Sequence, residues 1–353
     1  MDTNPATSLN AGVKISVRQQ SMLDDRGLGI VGRSINRKVF GMPLVISEWN
    51  STEPNAYNTE AVLMMNAFGA FQGWHPVMFA WQTHNFSEIK NTDIKAGHVY
   101  DLWLHPDMLG SMPSASAIRL RGDVTEASKA YYENVFGDSN PERAQYADQY
   151  IPVENYKYGL VGKSGMMFED VRYSASANSD DVYNKTKQAE ETGIYESITG
   201  ELTTNLNDRF FMVNTDRTQA VTGFIKNKQI EFKSSKINLN NNFATVYYTS
   251  LTNNSIENSD RILLTTVGRI WNSGQVLSDD GRTIVTGGTA PILVEPVTGR
   301  FSLKNSVNLK IYGLSSSGER IREIAAEKNA DGYVNFEITK DNASMHYEIV
   351  SSN

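Results

Sequence analysis

Gly41-Met42-Pro43-Leu44-Val45-Ile46-Ser47-Glu48-Trp49-Asn50 is the stretch on which the fold reading turns. The run from Met42 is short and apolar and ends on the carboxylate of Glu48, the pattern of a strand buried on both faces. Upstream, Gly29 to Phe40 carries Ile30, Val31, Ile35 and Val39 at helical spacing. Downstream, Thr59 to Gln72 places Val62, Leu63, Met65, Ala67, Phe68 and Phe71 mostly on one side of a helix, and Gly73 ends it. Pro76-Val77-Met78-Phe79-Ala80-Trp81 supplies a second buried strand. A polar loop and a further helix over Leu109 to Leu120 follow, closed by Arg121-Gly122-Asp123. This βαβα series implies parallel strands with helices packed outside them.

Position 48 carries the chemistry. In a parallel α/β barrel, side chains at the C-terminal ends of the strands face a shared mouth. Glu48 closes one strand and Trp81 holds the matching place on the next, followed by Gln82, His84 and Asn85; Trp49 and Asn50 extend the same rim. An aromatic face beside hydrogen-bonding groups suits a sugar ring, whose C–H face stacks while its hydroxyls pair. Blander readings stand beside this one. A Glu after an apolar strand also serves in loops and helix caps, and Trp81 could be core. His84 and His105 stand in no ligand spacing and read as polar loop histidines, and Asp24-Asp25 reads as a solvated turn. Asn50-Ser51-Thr52 matches a glycosylation sequon short enough to arise by chance.

The segment Gly41 to Asn50 resembles the seventh barrel strand of the clan A glycoside hydrolases. Trp74-His75-Pro76-Val77-Met78-Phe79-Ala80-Trp81 is similar to their eighth. Asp101-Leu102-Trp103-Leu104-His105-Pro106 and Met112-Pro113-Ser114-Ala115 resemble the last barrel helix of large bacterial polysaccharidases. The segments Arg261 to Arg269 and Ala290 to Val297 look like their C-terminal β-sandwich. The resemblance implies a retaining glycoside hydrolase acting on a polysaccharide or oligosaccharide. Glu48 would be its nucleophile, and Trp81, Trp49, Asn50, Gln82 and His84 its substrate contacts. Retention needs a second carboxylate about 5–5.5 Å away as acid/base. In the clan this is a Glu following an Asn on strand four, and no such pair on a buried strand precedes Glu48. The chain is therefore expected to be the C-terminal part of a larger enzyme, and self-association through the incomplete barrel is a hazard.

From Val124 the character changes. Residues 138 to 208 are polar and rich in Asn, Asp, Glu, Ser and Tyr. From Arg209 onward the pattern is β: Phe210–Val213, Ala220–Ile225, Gln229–Lys233, Ala244–Leu251, Arg261–Ile270, Pro291–Val297, Phe301–Leu303, Asn308–Tyr312 and Tyr333–Ile338. Turn residues such as Asp279-Asp280-Gly281 and Gly287-Gly288 separate these runs. The expected fold class is α/β plus β, in three parts. Residues 1–122 form the last strand–helix units of a (β/α)8 barrel, 123–208 a polar linker or irregular insert, and 209–353 an antiparallel β-sandwich. The Ser-rich C-terminal end reads as fraying.

Composition excludes more than it identifies. The 353 residues include 40% hydrophobic and 21% charged side chains, a globular balance. A formal charge of -7 argues against a nucleic-acid partner, which needs a concentrated basic surface. The absence of cysteine removes disulfides and thiolate chemistry. No cofactor or metal is expected. Neither a signal peptide in Met1-Asp2-Thr3-Asn4-Pro5 nor a membrane-spanning apolar run is read, so no membrane partner is expected. Localisation stays open, with an exported parent enzyme as one expectation. Two other functions compete: a non-catalytic carbohydrate-binding or ancillary module using Trp81 and Trp271, and a hydrolase of different chemistry with His84 or Asp101 as base. The latter lacks a Gly-x-Ser-x-Gly elbow.

Overall fold

A computed structural model describes residues 17–47, 49–51, 53–76, 102–134, 153–167 and 178–352. Five α-helices lie in these segments: α1 (Gly29–Arg37), α2 (Thr59–Gln72), α3 (Pro106–Arg119), α4 (Tyr156–Val161) and α5 (Asp180–Thr192). No helix among the described residues is long and apolar enough to cross a membrane.

Of the expected strand–helix–strand unit, the first strand and the helix are described, while the second strand, Pro76 to Trp81, lies outside the described residues from Val77 on. Strand β1 (Val45–Ile46) pairs in parallel with β2 (His75–Pro76), with Val45 opposite His75 and Ile46 opposite Pro76, and α2 makes the crossover between them. Gly73 ends α2 at φ 69°, a left-handed conformation that costs glycine little, and the Trp74 N–H then closes back on the Gly69 carbonyl at 2.8 Å. The strand is shorter than expected and is not buried on both faces: Val45 is 58% exposed and Met42 50%. Among the described residues β1 has one strand neighbour, β2. A second parallel pair joins β3 (Ala130–Asn134) to β4 (Lys163–Met167). These parallel strands stay as separate pairs, and no closed barrel is present among the described residues.

Helix α2 departs from its expected amphipathic pattern. Every residue of it except Asn66 is buried, because α1, α3, β4 and the large antiparallel sheet all pack against it. Helix α1 keeps the expected inward face through Val31 and Ile35.

The β-rich part is built on two large antiparallel sheets, with two further two-stranded antiparallel pairs between residues 270 and 294. In spatial order, the larger contains Arg320–Ile324, Leu309–Leu314, His346–Ser351, Arg261–Val267, Ala244–Ser250, Thr218–Gly223, Phe210–Asn214, Leu202–Asn205 and Ile194–Glu196. The smaller runs Ala326–Lys328, Tyr333–Ile338, Gly299–Lys304, Ser235–Leu239 and Gln229–Glu231. Val221, Val246 and Ile262 from the larger sheet share one apolar core with Ile237, Phe301 and Phe336 from the smaller. Phe301 and Phe336 stack across neighbouring strands with ring centroids 5.5 Å apart.

The central strands of the larger sheet are buried on both faces, all residues of Thr218–Gly223 and Ala244–Ser250 included. One face meets the smaller sheet, and α2 and α3 cover the other. That helix-facing side is lined by hydroxyls that pair: Thr245 Oγ1 donates to Thr59 Oγ1 of α2 at 2.8 Å, and Thr249 Oγ1 to Ser114 Oγ of α3 at 2.8 Å. Past the end of α3, the buried Asp123 carboxylate pairs with Arg121 and Arg217 and accepts from Thr218 Oγ1 at 2.7 Å.

Three expectations need correction. The stretch 123–208, expected as a polar linker or irregular insert, carries α4, α5, β3 and β4 and supplies two strands of the larger sheet, Ile194–Glu196 and Leu202–Asn205. Its polar residues misled because α5 is a surface helix that buries a narrow stripe, Val182, Thr186 and Ala189. The run Arg261–Ile270 is split: Arg261–Val267 stays in the larger sheet while Ile270–Ser273 pairs with Thr289–Val294. The C-terminal end does not fray, since His346–Ser351 is hydrogen-bonded on both sides, to Arg261–Val267 and to Leu309–Leu314.

Ile349 is fully buried in that last strand. Ile349→Ala is therefore expected to lower the unfolding free energy by about 2–5 kcal/mol in equilibrium urea denaturation. A change within about 0.5 kcal/mol would instead mark the strand as peripheral.

Candidate functional site

Glu48, Trp81, Gln82 and His84, together with Asn85 and Asp101, lie outside the described residues. Trp49 does not extend an open rim as expected. It is 5% exposed and belongs to the main apolar cluster. Asn50 is half-buried, its Oδ1 accepting from the Ser51 N–H at 2.8 Å, and it lines a small polar cavity with Ser21, Asn55 and Glu60.

Two buried acidic centres flank this loop. The first is Glu60, in the first turn of α2. Its Oε2 accepts from Ser21 Oγ at 2.5 Å and its Oε1 from the Met22 N–H at 2.6 Å. Burial outweighs these two hydrogen bonds and pushes its carboxyl up to about 8.

The second centre brings together Glu53, His105 and Asp107, each at most 3% exposed. Glu53 comes from the loop after β1. His105 and Asp107 flank Pro106, the first residue of α3. One ligand-type atom from each residue lies within 4.8 Å of the others. Asn58 Nδ2 donates to Glu53 Oε1 at 2.7 Å, while Asn58 Oδ1 accepts from Ser51 Oγ at 2.6 Å, so the loop after β1 holds the Glu53 carboxylate in place. Burial raises the carboxyls of both Glu53 and Asp107, and the Asp107 charge adds to the effect on Glu53. His105 is thus no polar loop histidine: helix α3 starts inside the protein and carries it there.

Sequence reasoning missed Glu53, Glu60 and Asp107. His105-Pro106-Asp107 offered a local pair, but Glu53 is remote in sequence and only the packing of α3 beside the loop after β1 unites them. On the sandwich side, the partly buried Trp271 lines a cleft of about 270 Å³ with Glu53, Pro54, Arg269 and Gln275.

No family model, curated protein or solved structure matches this chain.

Glu60 makes stability depend on pH. Its carboxyl keeps its proton up to about pH 8 in the folded chain and loses it near 4.5 when unfolded. The folded state binds more protons across that window, so the contribution is full below it and is lost as pH rises through it. Glu60→Gln is neutral throughout and keeps the shape. Its melting temperature relative to the wild type is expected to rise between about pH 5 and about pH 8. A difference that stays constant with pH would show that Glu60 is ionised in the fold.

Proposed function

We propose that this chain carries the strand-seven and strand-eight end of a retaining glycoside hydrolase barrel, joined to an antiparallel β-sandwich. Glu48 is the nucleophile in this reading, and Trp81, Gln82 and His84 contact the sugar. The observation that carries the proposal is the parallel pairing of Val45–Ile46 with His75–Pro76 across the α2 crossover. Barrel enzymes assemble their active sites at the C-terminal ends of such adjacent parallel strands, and this reading assigns Glu48 and Trp81 to that side. The family resemblance of Gly41 to Asn50 supplies the chemical role.

In the reaction, the Glu48 carboxylate attacks the anomeric carbon and the glycosidic oxygen leaves with a proton from a second carboxylic acid. Water, deprotonated by that same residue, then releases the sugar. No residue of this chain is assigned as the acid/base. Its absence costs about 10²–10⁴-fold on ordinary glycosides, whereas a leaving group as acidic as dinitrophenol departs without protonation.

The test uses a panel of dinitrophenyl glycosides. Wild-type chain is expected to release dinitrophenol from at least one of them, and Glu48→Gln to abolish release with an unchanged circular dichroism spectrum. Turnover retained in Glu48→Gln refutes the nucleophile assignment.

The second reading, a non-catalytic carbohydrate-binding module, is favoured by the partly buried Trp271 in its cleft with Arg269 and Gln275. Calorimetric titration with plant and algal polysaccharides separates the two. Binding lost in Trp271→Ala, from a chain that hydrolyses nothing, supports the module. Binding lost in Trp81→Ala supports the barrel site. No binding and no hydrolysis by the wild type would sink both.

A further inference from the structure

We propose that Glu53, His105 and Asp107 form a three-ligand site for a zinc-class divalent cation that ties the loop after β1 to the start of α3. This site stands or falls independently of the glycosidase reading.

The first support is geometric. His105 Nδ1 and Asp107 Oδ1 lie 3.9 Å apart, too far for a hydrogen bond. Two donors sharing an ion at about 2.0–2.2 Å stand roughly 3–4 Å from each other. The Glu53 donor joins them within the 4.8 Å that encloses all three. Side-chain movement that draws the Glu53 donor inward by about an ångström or less brings all three within the span of one ion.

Asp107 Oδ1 provides the second. It is buried and has no hydrogen-bond partner, although its residue is 1% exposed. A carboxylate oxygen taken out of water with nothing to accept from is expensive, and the expense disappears when it binds a cation. Among the described residues no lysine or arginine pairs with either Asp107 or Glu53. The two carboxylates together balance a dication, and the imidazole adds a neutral nitrogen.

The donor set then selects the ion. One imidazole nitrogen with two carboxylate oxygens suits zinc, whereas calcium and magnesium take oxygen donors alone in larger number. The supporting shell is also in place, since Asn58 holds Glu53 and is itself held by Ser51. Three protein donors leave a fourth position on a tetrahedral ion for water. A filled site would fix the backbone just past position 48 against α3, although these segments are remote in sequence.

The competing account of the same cluster is a proton shared between Glu53 and Asp107, with no ion. Zinc chloride titrated calorimetrically into the full chain, after dialysis against a chelator, decides between them. One equivalent is expected to bind, and Asp107→Asn and His105→Gln each to weaken binding by at least about 10–100-fold. Absence of stoichiometric uptake by folded wild type overturns the proposal. So does an Asp107→Asn variant that binds as tightly as wild type, because the zinc then sits elsewhere. Should the variants fail to fold, nitrogen-15 spectra of the wild type decide. Zinc is expected to move the ring signals of one of the five histidines to the metal-bound range, and five unmoved signals overturn the site.

Discussion

Helix α2 is enclosed on nearly every side, and the α/β part of the molecule is arranged to satisfy it. An enclosed helix gains apolar burial through Leu63, Phe68 and Phe71, but each polar group it carries must find a partner inside the protein. Thr59 reaches the large sheet through Thr245, and Glu60 reaches Ser21 and Met22 ahead of α1. At the far end, the Gln72 amide donates to the carbonyls of Gly159 and Gly162 and accepts from the Ser164 N–H, tying in α4 and β4. One helix thus fixes the relative placement of the sheet, the N-terminal turn and the segment around α4.

The large sheet pays for two-sided burial in a different currency of contacts. Toward the smaller sheet it offers Val221, Val246 and Tyr248, which belong to the apolar core the two sheets share. Toward the helices it offers Thr222, Thr245 and Thr249, whose hydroxyls pair with one another and with α2 and α3. Threonine fits both demands, since its β-branched shape suits a strand and its hydroxyl can be satisfied sideways. The Asp123 carboxylate, set between Arg121 and Arg217, closes the same contact where α3 ends.

The loop after β1 is where these constraints converge on chemistry. It buries Trp49, presents Asn50 to a polar cavity and delivers Glu53 to His105 and Asp107. Carboxyls held this deep stay protonated more readily than exposed ones or require a cation beside them.

The sequence by itself determined the local elements whose signals are short-range. The helices at Gly29 and Thr59, the glycine stop at Gly73, and strands such as Phe210–Val213, Ala244–Leu251 and Tyr333–Ile338 follow from periodicity and turn residues acting over a few positions. Tertiary structure alone decided what depends on partners far along the chain. It buried every residue of α2 but Asn66, left Val45 exposed, and placed His346–Ser351 inside a sheet instead of at a frayed end. It also gathered Glu53 with His105 and Asp107. Burial and pairing are properties of what surrounds a residue, and the spacing of one short segment contains no record of its surroundings.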